Sequence, residues 1–255
     1  MRDWKEICRV RTFEIEGREV PAVSLGTSPF IGAGQFGSKS GEYYSLFYQR
    51  PENIESIIRC SAELGVPAVQ VLYYDRIIRA LIRAQSDIGV KLFTTVTIGI
   101  VDWKRELLES ELIDPSICFI HARITDLRNR PFLTEIIAEI RRKGMIPGCA
   151  THEPAETIPF LEESGLPIGC YLAPLNSIGL FVGDNLKRTV DCYEQASRPV
   201  IAKKVLAAGK ILPEEAFSFV SKVKNVKGVT VGIASQSEAQ ETFETALRFW
   251  PKSGG

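Results

Sequence analysis

Only two histidines occur in the 255 residues, and each ends an apolar run. His121 closes Ser116-Ile117-Cys118-Phe119-Ile120, and His152 closes Pro147-Gly148-Cys149-Ala150-Thr151 before Glu153-Pro154. An imidazole in such a place can orient a carbonyl, move a proton or bind a metal. The competing reading is a satisfied core histidine for His121 and a solvated helix entrance for His152. Two further runs end in chemically able groups: Tyr73-Tyr74-Asp75 and Lys203-Lys204. Tyr74 is a candidate proton donor with Asp75 as its neighbour, although strand alternation sends Tyr73 and Tyr74 to opposite sides. Asp75 also suits a plain helix cap. Of the two lysines, alternation turns one inward. A buried lysine loses basicity and can serve as a base or a Schiff-base nucleophile. A salt bridge to Glu153 or Asp75 is the structural alternative. A His121/His152/Asp75 metal site is chemically conceivable, but the runs concerned are not all neighbours, and no metal is assigned.

These groups need elements that bring run ends together, and the pattern supplies them. Helical periodicity over 51–65, with Ile54, Ile57 and Ile58 on one face and Gly65 as the stop, precedes the run Ala68–Leu72. Helices follow at 76–88, Trp103–Leu112, Pro131–Lys143, Pro154–Ser164 and Asp184–Gln195. Two more begin at Pro213 and Ser237, the last with Gln240 completing a capping box. Strands alternate with them at 22–27, 68–72, 91–97, 116–121, 146–150, 168–172, 199–205 and 229–233. Eight strands and eight helices in strict alternation imply an α/β fold, a closed (β/α)8 TIM barrel over residues 1–250. In such a barrel all strand C-termini share one mouth. Residues 9–15 and 19–23 around Glu16-Gly17 form a hairpin that closes the bottom. The tail 251–255 is expected to be disordered. A long Gly-rich loop runs from Ser28 to Gly41. Through residue 50 it carries Phe30, Phe36, Tyr43, Tyr44, Phe47 and Tyr48, an aromatic wall for a substrate or an oligomer contact.

Bulk properties narrow the partners. The 31 basic and 31 acidic side chains cancel, so no basic field argues for nucleic acid. No apolar run approaches the roughly 18 residues of a membrane span, and the N-terminus lacks the core of a signal peptide. A cytoplasmic protein acting on a small molecule is the expectation. The six cysteines include no CxxC pair, so packed, reduced thiols are expected rather than a cluster site.

Several motifs together resemble the aldo/keto reductase family. They are the bottom hairpin, Leu25-Gly26-Thr27 in the first strand and the His121-terminated fourth strand. Gly148 to His152 in the fifth, Pro199–Lys204 with Ala208-Gly209, and Gly232-Ile233-Ala234-Ser235-Gln236-Ser237 complete the set. The resemblance implies NADP- or NAD-dependent oxidoreductase chemistry on a small carbonyl compound. By it, His121 orients the carbonyl, Tyr74 donates the proton, and Lys203 or Lys204 supplies positive charge. Asn176, Gly209, Gly232, Ser235, Gln236 and Ser237 would hold the cofactor. The family's aspartate position falls at Gln70. Its third-strand lysine is replaced by Thr95-Val96-Thr97, its fifth-strand serine by Ala150 and its sixth-strand glutamine by Leu172. Glu238 stands where an arginine would clamp a 2′-phosphate. Two other readings therefore remain: a lyase or aldolase using a Schiff-base lysine or a His/Asp metal, and a non-catalytic barrel that has lost reductase activity.

Overall fold

The computed structural model describes residues 1–183 and 185–252. Eight parallel strands close a barrel: β1 Val23–Gly26, β2 Ala68–Leu72, β3 Phe93–Ile98, β4 Ile117–Ile120, β5 Ile146–Ala150, β6 Cys170–Pro174, β7 Val200–Lys203 and β8 Val226–Gly232. Closure is made by β8 on β1, with Val231 beside Leu25 and Gly232 beside Gly26. The surrounding helices are α1 Pro51–Glu63, α2 Asp75–Ile88, α3 Trp103–Ser110, α4 Arg130–Arg142, α5 Pro154–Ser164, α6 Leu186–Gln195, α7 Pro213–Val220 and α8 Gln236–Phe249. The (β/α)8 expectation is met, down to buried Ile54, Ile57 and Ile58 on the inner face of α1. No described helix is long and apolar enough to cross a membrane.

Local chemistry sets the helix ends. Asp102, Asn129 and Asn185 accept from backbone N–H groups at the starts of α3, α4 and α6, which removes orphan donors from each first turn. With Asn185 as its cap, α6 starts at Leu186, two residues after the Asp184 expected, and Asp184 lies outside the described residues. For α8 the cap is Ser235, which accepts from Glu238 N at 3.1 Å, while Glu238 Oε2 accepts from Ala234 N at 2.8 Å. The cap expected at Ser237 therefore sits two residues earlier, and Gln240 donates to Glu244 at 3.1 Å instead of completing a box. Ser235 has the extended backbone a cap requires (φ −155°), whereas Ser237 is already helical.

Other boundaries shift for similar reasons. Val90-Lys91 leaves the barrel to pair with Arg2-Asp3, so β3 starts at Phe93. β6 runs two residues later than expected, to Pro174. β7 stops at Lys203 because Lys204 turns to φ +58°. The hairpin is Thr12–Ile15 paired with Arg18–Pro21. It does seal the N-terminal end: a methyl group added at Gly169 would lie 3.1 Å from Ile15, and one at Gly228 would lie 3.0 Å from Phe13. The tail is partly tied down, since Pro251 bridges Val10 and Lys252 N donates to Arg9 O at 2.9 Å. Residues 253–255 lie outside the described set.

The stretch from Ser28 to Tyr48 is not an open loop. It winds as 3-10 turns over Ser28–Ile31 and Gly34–Lys39, a helical turn over Ser40–Tyr43 and a π-type turn over Tyr44–Tyr48. Its aromatics divide. Phe30 and Phe47 pack in the core with ring centroids 5.0 Å apart, and Tyr44 stacks on Tyr48. Only Phe36 and Tyr43 face the barrel mouth.

Candidate functional site

A cavity of about 630 Å³ opens at the C-terminal ends of the strands, where barrels of this kind keep their chemistry. His121, His152, Tyr74, Lys203 and Lys204 all line it. Asp75, the remaining candidate, does not. It lies exposed in the first turn of α2 and pairs with Arg79 at 3.3 Å, because the strand has ended and helix geometry turns the side chain outward. Among the described residues no group of three or more His, Cys, Asp or Glu is arranged to hold a metal ion.

The two imidazoles meet edge to face, with centroids 5.9 Å apart. His121 Nδ1 accepts from Arg123 N at 3.2 Å. In a neutral ring that leaves the proton on Nε2. Burial, followed by the charges of Lys203, Arg123 and Lys204, pushes His121 down to about 4. His152 is lowered for the same reasons, with Lys203, Lys204 and His121 adding to the effect of partial burial. Both rings are therefore neutral at physiological pH.

The position of His152 is set by a residue that lies between the motifs. Asp126 ends the short helix Ala122–Thr125 after β4. Its carboxylate accepts from Thr151 Oγ1 at 2.5 Å, Thr157 Oγ1 at 2.9 Å and His152 N at 3.0 Å. It thus ties the β5 loop to the neighbouring strand's loop. Glu106 does the same for the loop after β3, accepting from the N–H groups of residues 99–102 at 2.6–3.0 Å. Neither acid lies at a strand end, so strand-end reasoning passed over both. Glu106 four residues after Asp102 in a helix-opening sequence was the one available signal.

The floor is neutral. Gln70 Nε2 donates to Thr97 Oγ1 at 2.9 Å and to Val71 O at 3.1 Å. This pair occupies the strand-two and strand-three positions where the resemblance calls for an aspartate and a lysine. Tyr73 and Tyr74 separate as alternation requires. Tyr73 bonds outward to Glu109, whereas Tyr74 faces the cavity against Tyr48, with centroids 5.9 Å apart. Burial, with Tyr48 and Glu106 adding, raises the Tyr74 phenol above its ordinary value, so it remains protonated.

Positive charge comes instead from the strand-seven end. Lys203 is half-buried at the cavity wall, and its ammonium makes no hydrogen bond or ion pair among the described residues. The expected partners are engaged elsewhere: Glu153 pairs with Arg128 at 3.0 Å and Asp75 with Arg79. Burial, then the Lys204 charge, lowers Lys203 to about 7, against a raising influence from Asp126. Lys204 is lowered by burial, and its ammonium lies 5.1 Å from the Phe181 ring centroid. The loop beyond is conformationally costly, with Lys204, Ala207 and Ala208 at φ +58°, +48° and +58°.

The six candidates for cofactor contact divide. Gly209 and Gly232 line the cavity. Asn176 does not: it is buried, donating to Leu180 O at 2.7 Å and Lys204 O at 3.2 Å and accepting from Leu180 N at 2.9 Å. It pins the Lys204 turn to the β6 loop. Ser235 and Ser237 bond to each other at the start of α8, and Gln236 donates to Ser56 at 2.6 Å, all off the cavity wall. Ser235 holds the cap position, which points its side chain back at the helix, and Gln236 and Ser237 follow inside the first turn. The cavity also gains Thr230, whose buried hydroxyl has no partner among the described residues, and Glu238, the one carboxylate on its wall.

No family model matches the sequence, and no curated protein matches it either. Solved structures do match in shape. PA4992 from Pseudomonas aeruginosa, described by inference as an aldo-keto reductase, superposes with a TM-score of 0.67 at 16% identity, over 93% of this chain and 95% of that one. An aldo/keto reductase from Klebsiella pneumoniae in complex with NADP and acetate gives 0.61 at 16%, over 96% and 97%. One from Brucella melitensis gives 0.60 at 12%, over 92% and 93%. The chain therefore shares the barrel fold of the aldo/keto reductases along nearly its whole length, at identities that carry the fold alone.

Proposed function

We propose that the protein reduces a small carbonyl compound with hydride from a nicotinamide dinucleotide. The observation that carries this reading is the continuity of one cavity. It joins Tyr74 and His121 to the turns after β7 and β8, through Lys203, Lys204, Gly209 and Gly232. The residues present suit such a cofactor. The Lys203 and Lys204 ammonium groups and the Thr230 hydroxyl, none with a carboxylate or hydrogen-bond partner among the described residues, offer donors to an anionic ligand. A strand-seven and strand-eight turn is also where barrels commonly hold phosphate. Lys204, Gly209 and Gly232 would hold the dinucleotide, which supplies hydride when bound. Glu238 on the same wall disfavours a 2′-phosphate and favours NAD over NADP.

The chain's own residues act on the carbonyl. His121, neutral with its proton on Nε2, donates a hydrogen bond to the carbonyl oxygen and orients it. Tyr74, held protonated, gives up its hydroxyl proton as charge develops on that oxygen. The Lys203 ammonium eases loss of that proton by its charge, in place of the strand-three lysine that Thr97 replaces. Phe36 and Tyr43 close the wall and exclude water.

Titration of the purified protein with NADH and NADPH, followed by nucleotide fluorescence, tests the reading. Saturable binding of either, with carbonyl-dependent oxidation that is lost in H121A, is the expected result. Failure of both nucleotides to bind refutes it.

A further inference from the structure

The amine of Lys203 is placed for chemistry that needs no nucleotide. It ends β7 at the cavity wall, and no hydrogen bond or ion pair holds it among the described residues. Among the described residues every carboxylate near it is engaged. Asp126 takes Thr151, Thr157 and His152 N, Glu153 takes Arg128, and Glu238 takes Ala234 N. Lys204 and Asp126 act on the charge of Lys203, and Lys203 acts in turn on the neutral rings of His121 and His152, which line the same cavity. An amine next to a second cation in a partly dry site is the standard means of obtaining a nucleophilic lysine. Lys204 and Arg123 also lack carboxylate partners among the described residues. Lys204 lies against the Phe181 ring, and among the described residues the Arg123 guanidinium donates to the Ile100 carbonyl alone, at 2.6 Å. Both line the same cavity. A guanidinium and an ammonium so placed suit a carboxylate.

We propose that Lys203 forms an imine with a small 2-oxo acid whose carboxylate is held by Arg123 and Lys204. The Nζ lone pair attacks the ketone carbon and forms the C–N bond. The C=O π pair moves to oxygen, which accepts a hydrogen bond from His121 Nε2–H and takes up a proton as Nζ loses one. The hydroxyl of this carbinolamine then takes a second proton and leaves as water, while the nitrogen lone pair makes the C=N bond and leaves a protonated imine. Amine, ketone and one proton give iminium and water, with no oxidant or reductant consumed. The iminium withdraws electrons from the adjacent carbon, so a neighbouring C–H or C–C bond can break. This is the entry step of lyase or aldol chemistry, and it goes beyond carbonyl reduction.

The test is reductive trapping of the full-length protein with pyruvate and borohydride, without nucleotide, followed by peptide mass mapping. The expected result is one adduct, on Lys203, absent from K203M. It should form with a rate that rises through a midpoint near pH 7, set by the lowered Lys203 value. K204M and R123M should keep the adduct but weaken its dependence on pyruvate concentration by about tenfold each, the loss of one charged hydrogen bond. Acetaldehyde, which lacks the carboxylate, should trap more slowly and be indifferent to R123M. No adduct on the wild-type protein overturns the proposal. So does labelling spread over exposed lysines whose rate still climbs toward the ordinary lysine value of about 10.4. Should K203M fail to fold, the wild-type peptide map and its pH profile decide alone. The nucleotide titration stands apart: trapping without nucleotide binding removes the reductase reading only, and the reverse removes the imine only.

Discussion

Replacing Asp126 by Asn isolates the strut that holds His152. The wild-type carboxylate accepts three hydrogen bonds, two at Oδ1 from the hydroxyls of Thr151 and Thr157 and one at Oδ2 from His152 N. Asparagine can keep its carbonyl oxygen toward the two hydroxyls, but its amide then points two N–H groups at the His152 N–H. One charge-assisted bond is lost, two are weakened to neutral ones, and a donor is left facing a donor. A bond to a charged group contributes about 1.5–3 kcal/mol and a neutral one about half as much. Summed with partial relaxation of an only half-buried site, the loss should be about 2–4 kcal/mol. Urea denaturation of D126N against wild type measures it, with unchanged slope showing that the fold persists. Hydrogen exchange at the His152 amide should accelerate by the opening of that bond, while amides of β4 and β5 keep their protection. A D126N protein within about 0.5 kcal/mol of wild type, with the His152 amide still slow to exchange, would refute the strut.

Lys203 gives a pH signature. Its folded-state value, about 7, lies below the ordinary lysine value, so the unfolded chain holds more protons between the two and stability rises with pH across that window. K203M should therefore be more stable than wild type at pH 7, by about 1–3 kcal/mol after discounting for partial exposure, and that margin should shrink toward pH 10. His121 works in the same direction at lower pH: stability falls as pH drops from the ordinary histidine value of about 6.5 toward about 4, and H121A should flatten that limb. Gly148 lies under Phe119, where an added methyl would come within 2.4 Å of the ring. G148A should lose about 1–3 kcal/mol in denaturant melts through overpacking, and G148A combined with F119L should recover part of it. Ala208 holds φ +58° with no glycine's freedom, so A208G should raise the melting midpoint, about 1 kcal/mol of relieved strain being offset in part by the freer unfolded chain. A lower midpoint would mean that the turn is not strained.

The barrel was legible because each strand is a short, nearly unbroken apolar run and each helix carries a one-sided stripe, the pattern that burial on both faces of a parallel sheet imposes. The mouth was half legible. His121, His152, Tyr74, Lys203 and Lys204 could be assigned because each lies within two residues of a strand end, and strand ends in a closed barrel all point one way. Asp75, Ser235, Gln236 and Ser237 follow a strand by three or more residues, where turn geometry decides the direction of a side chain. There the helix start claimed them. Asn176 was matched by type, yet three backbone partners hold it in the wall. The aromatics of residues 28–50 looked like one surface because nothing in their spacing revealed the successive 3-10, helical and π-type turns. Those turns send Phe30 and Phe47 inward and leave Phe36 and Tyr43 at the mouth. Asp126 escaped because its hydroxyl and backbone partners become neighbours only once the barrel closes, and Glu106 because its partners are the N–H groups of an irregular loop just before its own helix.

The mouth collects bases rather than balanced pairs: Lys203, Lys204, His121 and His152 all sit below their ordinary proton affinities. Any anion that settles among them restores those affinities, so its arrival must draw protons from solution, and by reciprocity it must bind more tightly as pH falls. Ligand capture would then be a buffered event. Its heat, measured in buffers of different ionisation enthalpy, would count the protons taken up, and the site would discriminate a charged from an uncharged ligand of the same shape by the acidity of its surroundings.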